Sequence, residues 1–276
     1  MAVPVVRFPI FVLVRVIGVA VAALVLTWSV HYRGGLALIS DNKALIFNVH
    51  PVLMVISLVL LNGEAEDGIM RLNVSTMLLF LASFFTLFAF DNTASWIMLS
   101  PNLVCIATAM LAYKTVSGTK SFRKLVHLVL QFMAFFLSLI GVWAAWKFHI
   151  DKGIDNFYSL HSWLGLACLF LFGVQWAAGF ATFWYPGGSR NSRASLLPWH
   201  VFFGIYIYAL AIVTCATGIL EKATFLQASH IISRYSTEAL LVNCLGVLIV
   251  VLGGLVILAV VSPMNGKGDI HRELAE

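Results

Sequence analysis

Six apolar runs, each about as long as a bilayer is thick, leave this chain few folds to adopt. They cover residues 8–30, 44–61, 125–146, 157–176 with an extension to 183, 196–220 and 240–261. A helix crosses the roughly 30 Å hydrocarbon core in about 20 residues. Runs of that length with few charges predict an all-α polytopic membrane protein with six core transmembrane helices. The chain is 61% hydrophobic and 11% charged, too little polar surface for a soluble domain of this size. Residues 8–30 are too long for the apolar part of a cleavable signal and lack a small-residue cleavage site, so they read as the first membrane helix. The net charge of +5 is spread over loops, which excludes the basic patch of a nucleic-acid binder. Cys105, Cys168, Cys215 and Cys244 all lie in apolar segments without paired spacing. They read as free buried thiols, with no disulfide framework.

The charged loops set an orientation. Arg7 precedes the first run, Lys114, Lys120, Arg123 and Lys124 precede the third, Arg190 and Arg193 precede the fifth, and Lys267 and Arg272 follow the last. The opposite loops mix signs: Arg33, Asp41 and Lys43; Lys147, Asp151, Lys152 and Asp155; Glu221 and Lys222. The positive-inside rule then places both termini in the cytosol. This holds only if residues 62–124 make an even number of additional crossings.

Four of these segments each carry one histidine: His50, His127, His161 and His200. An intramembrane imidazole is costly without a partner or a ligand, so such residues are functional candidates. In alternating helices His50 and His161 share one depth, near the non-cytosolic face. His127 and His200 share the other, near the cytosolic face. Two pairs of neutral imidazoles suit two iron porphyrins, each held axially from both sides. With the ligands five or six residues into their helices, the two centres would lie about 15 Å apart in depth. The competing reading is that each histidine only hydrogen-bonds between helices. Gly141, Gly165, Gly204 and Gly218 could leave room for flat macrocycles, or serve ordinary close packing.

The stretches HYRGGLAL from His31, FNVHPVLM from Phe47, KLVHLVLQ from Lys124, KFHIDKGIDNFYSLHSWLG from Lys147, WYPGGSRNSRASLLPWHVFFG from Trp184 and TGILEK from Thr217 carry a resemblance. The chain resembles the cytochrome b561 family of ascorbate-dependent transmembrane oxidoreductases, most of all its plant, vacuolar-type members. The resemblance implies a homodimer in a vacuolar or other endomembrane, and two heme b groups per chain in a central four-helix bundle. His50 with His161, and His127 with His200, match the family's iron ligands. Lys120, Lys124 and Arg193 match residues that bind ascorbate on the cytosolic side, where a cationic pocket attracts a monoanion. His149 matches a residue needed to use the acceptor, monodehydroascorbate or a ferric chelate, with Phe148 and Asn156 close by. A histidine beside a one-electron acceptor can supply a proton as charge arrives. Ser159, Ser162 and Trp163 surround His161 and could orient the ligand ring. His31, His230 and His271 read as ordinary interfacial or loop residues.

The function implied is transmembrane electron transfer from cytosolic ascorbate through two hemes to an acceptor on the other side. Two alternatives stand against it: a heme-free transporter with histidine proton relays, and an inactive isoform whose site an insertion has destroyed. The transporter would need intramembrane carboxylates, which the core segments almost lack.

The resemblance breaks at residues 66–109. Removing this block joins Ala65 to Met110 and restores the family pattern. The irregular region 62–122 around it holds two apolar stretches, 72–90 and 95–113, separated by Asp91-Asn92-Thr93. Its Asn73-Val74-Ser75 fits a glycosylation signal, inert if cytosolic. The block reads as an atypical insertion, either retained non-coding sequence or a real helical hairpin, within a single membrane domain that ends in a polar cytosolic tail at 263–276. Retained non-coding sequence predicts transcripts that encode Ala65 followed directly by Met110. Transcripts that always include the block would refute retained non-coding sequence.

Overall fold

The computed structural model describes residues 10–61 and 119–262. The expected insertion at 66–109 and the tail at 263–276 lie outside the described residues, as do Cys105 and His271. Among the described residues there are six helices long and apolar enough to cross a membrane. We number them α1 (Ile10–Thr27), α2 (Lys43–Met54), α3 (Lys120–Lys152), α4 (Leu160–Phe183), α5 (Arg190–Ala228) and α6 (Thr237–Val261). The first two continue as π-helical turns at Trp28–Tyr32 and Val55–Leu61. Pro51 sits inside α2, directly after His50. Proline cannot donate a helical hydrogen bond, and wider turns at such positions are a common accommodation.

Short polar side chains start the helices. Asn42, Thr119, Ser159, Ser189 and Ser236 each accept a hydrogen bond from a backbone N–H in the first turn that follows, satisfying a donor the helix leaves open. Gly153 ends α3 in the left-handed conformation, φ 64°, where a Cβ would be strained. The helices outrun the apolar windows. α3 has 33 residues and α5 has 39, so Lys147, Asp151, Glu221 and Lys222 belong to final helical turns rather than loops.

The helices alternate in direction. α2 packs along α3, α4 along α5, and α1 and α5 against α6, whereas α3 and α4 touch sparsely. Asp151 near the end of α3 pairs with Lys43 at the start of α2 (3.6 Å) and with Lys147 (3.0 Å). The last turn of α2 and the first turn of α3 therefore lie at the same end of the bundle. Cys168 and Cys215 are buried free thiols, as expected. Cys244 is free but exposed on the outer face of α6, against the expectation of burial, because α6 turns that face away from the bundle.

A buried carboxylate holds one end of the bundle together. Glu238, 6% exposed, accepts a hydrogen bond from Trp28 Nε1 (2.8 Å) and forms an ion pair with Arg33. The chain after Arg33 is pinned in turn by Asn48, whose Nδ2 donates to the carbonyls of Arg33 (3.0 Å) and Gly35 (2.8 Å). Removing one partner of a buried ion pair strands the other charge. Glu238→Ala should therefore destabilise the protein by roughly 3–5 kcal/mol, seen as a clear fall in Tm in detergent. An unchanged Tm would refute this role.

Candidate functional site

The four intramembrane histidines meet in two facing pairs. His50 of α2 and His161 of α4 have ring centroids 5.9 Å apart with planes at 80°. His127 of α3 and His200 of α5 are 6.3 Å apart with planes at 72°. A metal–imidazole bond is about 2 Å, so two rings binding one ion from opposite sides have centres about 6 Å apart. Both pairs match that span.

The local sequence explains how the rings are held. His50 Nδ1 hydrogen-bonds the Gly141 carbonyl (2.9 Å), and His161 Nδ1 the Thr214 carbonyl (2.9 Å). A carbonyl only accepts, so Nδ1 carries the proton and Nε2 keeps its lone pair, the form that binds a metal. Glycines make room for two of the rings. A Cβ on Gly218 would stand 2.6 Å from Cε1 of His161, and one on Gly179 2.9 Å from Cε1 of His200. Gly218 thus accommodates an imidazole rather than a macrocycle. Gly165 and Gly204 face Thr214 and Gln175 at ordinary contact distances, while Gly141 packs tightly under Met54. His200 is further fixed through its backbone carbonyl, which accepts from Gln175 Nε2 (2.6 Å). Its own Nδ1 is buried with no hydrogen-bond partner among the described residues. Ser159 and Ser162 bond each other through their hydroxyls (3.1 Å), and Ser159 caps α4 by accepting from the Ser162 N–H, while the His161 ring itself bonds the Thr214 carbonyl.

The histidines are not at uniform depth in their helices. His50 and His127 are each eighth in theirs, His161 is second in α4 and His200 eleventh in α5. Fourteen residues separate His127 from Gly141 on α3, and fourteen separate His200 from Thr214 on α5. At 1.5 Å per residue both intervals are about 21 Å. The two levels thus lie about 21 Å apart along the helix axes. The layer between them is filled by Leu53, Leu137, Ala134, Cys168, Ile207, Tyr208 and Ala211, all buried.

Beyond each pair lies a polar end. At the 127/200 end, Lys120 and Lys124 start α3 and Arg193 starts α5. The charges of Arg193 and Lys120 act directly on Lys124, so the three expected cations form one cluster. At the 50/161 end, the Phe148 ring packs against Phe47 at a tilt of 53° (4.9 Å), and Phe47 neighbours the His50 ring (6.0 Å). His149 follows in the last turns of α3, half-buried. Asn156 is half-buried in the next loop with no side-chain hydrogen bond among the described residues. Lys222 was missed as a site residue. Its ammonium lies 4.1 Å from the Phe47 ring centre and 5.6 Å from that of Phe225, a cation–π position. The only sequence signal was its place in TGILEK. Tyr158 donates to Glu221 (3.3 Å), and burial together with that carboxylate holds its phenol above the usual range.

This arrangement has relatives. A family profile described as eukaryotic cytochrome b561 matches residues 94–226, beginning within the block 66–109. The chain is 63% identical over 271 residues to transmembrane ascorbate ferrireductase 2 of Arabidopsis thaliana, covering 98% of this chain and 99% of the relative. The chain belongs to the cytochrome b561 family. It is 38% identical to ascorbate-specific transmembrane electron transporter 1 of Zea mays, over 90% of this chain and 87% of the relative. It is 32% identical to the transmembrane ascorbate-dependent reductase of Sus scrofa, over 94% of this chain and 84% of the relative.

Membership of a b-type cytochrome family implies heme b. The residues present fit it: opposed imidazoles at metal-spanning distance, two with their protons directed away from the gap, and an orphaned nitrogen on a third. Gly218→Ala and Gly179→Ala should each displace one imidazole ring and lower heme content, because a packed interior cannot absorb a 2.6–2.9 Å approach. Gly254→Ala, with nothing within 4 Å, should leave it unchanged. Heme-to-protein ratios of the purified variants check this, and full occupancy in Gly218→Ala would contradict it.

Proposed function

We propose that this cytochrome b561 chain carries single electrons across a membrane, from cytosolic ascorbate through two heme b groups to monodehydroascorbate or a ferric chelate on the other side. The observation that carries this reading is the pair of facing imidazole couples at opposite levels of one bundle. When bound, each heme iron takes up and releases one electron by cycling between its ferric and ferrous states. His127 and His200 hold the group near the donor side; His50 and His161 hold the one near the acceptor side. Held between two imidazoles, the group would serve electron transfer rather than dioxygen binding. The names of the relatives support ascorbate as donor, and that of the Arabidopsis relative supports iron as an acceptor.

The polar ends divide the remaining work. Lys120, Lys124 and Arg193 would hold the ascorbate monoanion by charge-assisted hydrogen bonds. His149, with Phe148 and Asn156, would receive the acceptor and supply a proton as the electron arrives. The protein works as a homodimer in a lipid bilayer of the vacuole or another endomembrane, with both ends of the chain in the cytosol.

The visible spectrum of the purified protein before and after ascorbate tests this directly. A low-spin b-type spectrum of two hemes per chain, reduced by ascorbate, is the expected result. Absence of heme would overturn the reading. Lys124→Ala should keep both hemes and slow their reduction by about 10- to 100-fold, the cost of one hydrogen bond to a charged group. His149→Ala should leave ascorbate reduction intact and slow reoxidation by a ferric chelate. Equal rates in stopped-flow would remove these residues from their roles.

A further inference from the structure

The Thr214 carbonyl that orients His161 is shared. Thr217, one turn later on α5, places its hydroxyl 2.9 Å from the same oxygen and 3.0 Å from the Val213 carbonyl. The His161 ring approaches from the other side at 2.9 Å. Helical register also aims the Gly218 N–H at this carbonyl. Three donors thus converge on an oxygen with two lone pairs. Across the gap, the equivalent acceptor for His50 is the Gly141 carbonyl. The residue one turn after it is Ala144, fully buried and without a donor. Within one imidazole couple, then, one ligand has its acceptor free of side-chain competition and the other does not.

We propose that Thr217 is a positioning residue that tunes the electron-donating strength of His161 by competing for the Thr214 carbonyl. The inference rests on the reading of His50 and His161 as ligands of one heme. A strong Nδ1–H···O bond pushes electron density into the ring and makes the imidazole a better donor to iron. A better donor stabilises the ferric state and lowers the reduction potential. The Thr217 hydroxyl draws on the same lone pairs, weakens the His161 bond, and raises the potential of the acceptor-side heme. Its second partner, the Val213 carbonyl, gives the hydroxyl somewhere else to turn, so the competition is adjustable rather than fixed.

The test is a potentiometric titration of the holoprotein, followed at the visible α band and by low-spin EPR to separate the two hemes. Thr217→Val keeps the shape and removes the donor. The midpoint of the His50/His161 heme should move negative, with a several-fold smaller reduced fraction at the poise that half-reduces it in the wild type. The His127/His200 heme should not move. Thr217→Ser retains the hydroxyl and should titrate like the wild type, and Thr217→Ala should shift in the same direction as valine. The proposal is overturned if both valine and alanine variants titrate like the wild type, if both hemes shift equally, or if serine shifts as far as valine. Intact low-spin signals with unmoved potentials would sink this inference alone. A wild-type protein without bis-imidazole heme would sink the ligand assignment as well.

Discussion

An imidazole inside a membrane has two ring nitrogens to satisfy, and water satisfies neither. In this bundle the backbone of a neighbouring helix takes one of them at two sites, His50 on Gly141 and His161 on Thr214. A helical carbonyl already serves its own helix but keeps a second lone pair, so it can accept a ring N–H from outside without unwinding. The approach is close, and the sequence provides for it: Gly141 lies under Met54 and Leu53 of α2, and Gly218 lies under the His161 ring. These contacts join α2 to α3 and α4 to α5 as two packed pairs. Each histidine couple then spans the pairs, α2 to α4 at one end and α3 to α5 at the other. Because α3 and α4 touch sparsely, iron bound between the imidazoles would be a principal tie between the two halves. Cofactor and bundle geometry are in that sense one constraint, as expected where binding energy contributes to folding.

Much of this was legible in the sequence because it repeats along the chain or follows from length. Apolar runs report spans, and one histidine per span with alternating direction reports two levels. The cationic starts of α3 and α5 report an end of the bundle. What stayed hidden depends on residues far apart. Glu238 stands just ahead of the last apolar run, while its partners Trp28 and Arg33 lie more than 200 positions earlier. Gly179 is one small residue among many in α4 until His200 is placed against it. Lys222 read as a loop charge because hydropathy ends a segment where the apolar run ends, while α5 continues to Ala228.

The distribution of charge separates electron transfer from ion transport. A proton or ion path needs polar groups linked across the membrane, typically through carboxylates. Here the described acids stand at one end, and the buried one, Glu238, is neutralised by Arg33 and bonded by Trp28. The layer between the histidine levels is built from Leu, Ala, Ile and Cys side chains. Its buried polar groups close on near neighbours: Ser57 with Ser138 (2.8 Å), Ser138 with the Ala134 carbonyl (2.8 Å), and Tyr208 with the Val59 carbonyl (3.4 Å). These pairings are local, whereas an electron needs no polar path and tunnels through packed atoms. A closely packed apolar layer between two imidazole couples suits electron tunnelling, and the described carboxylates all stand outside it, at one end of the bundle.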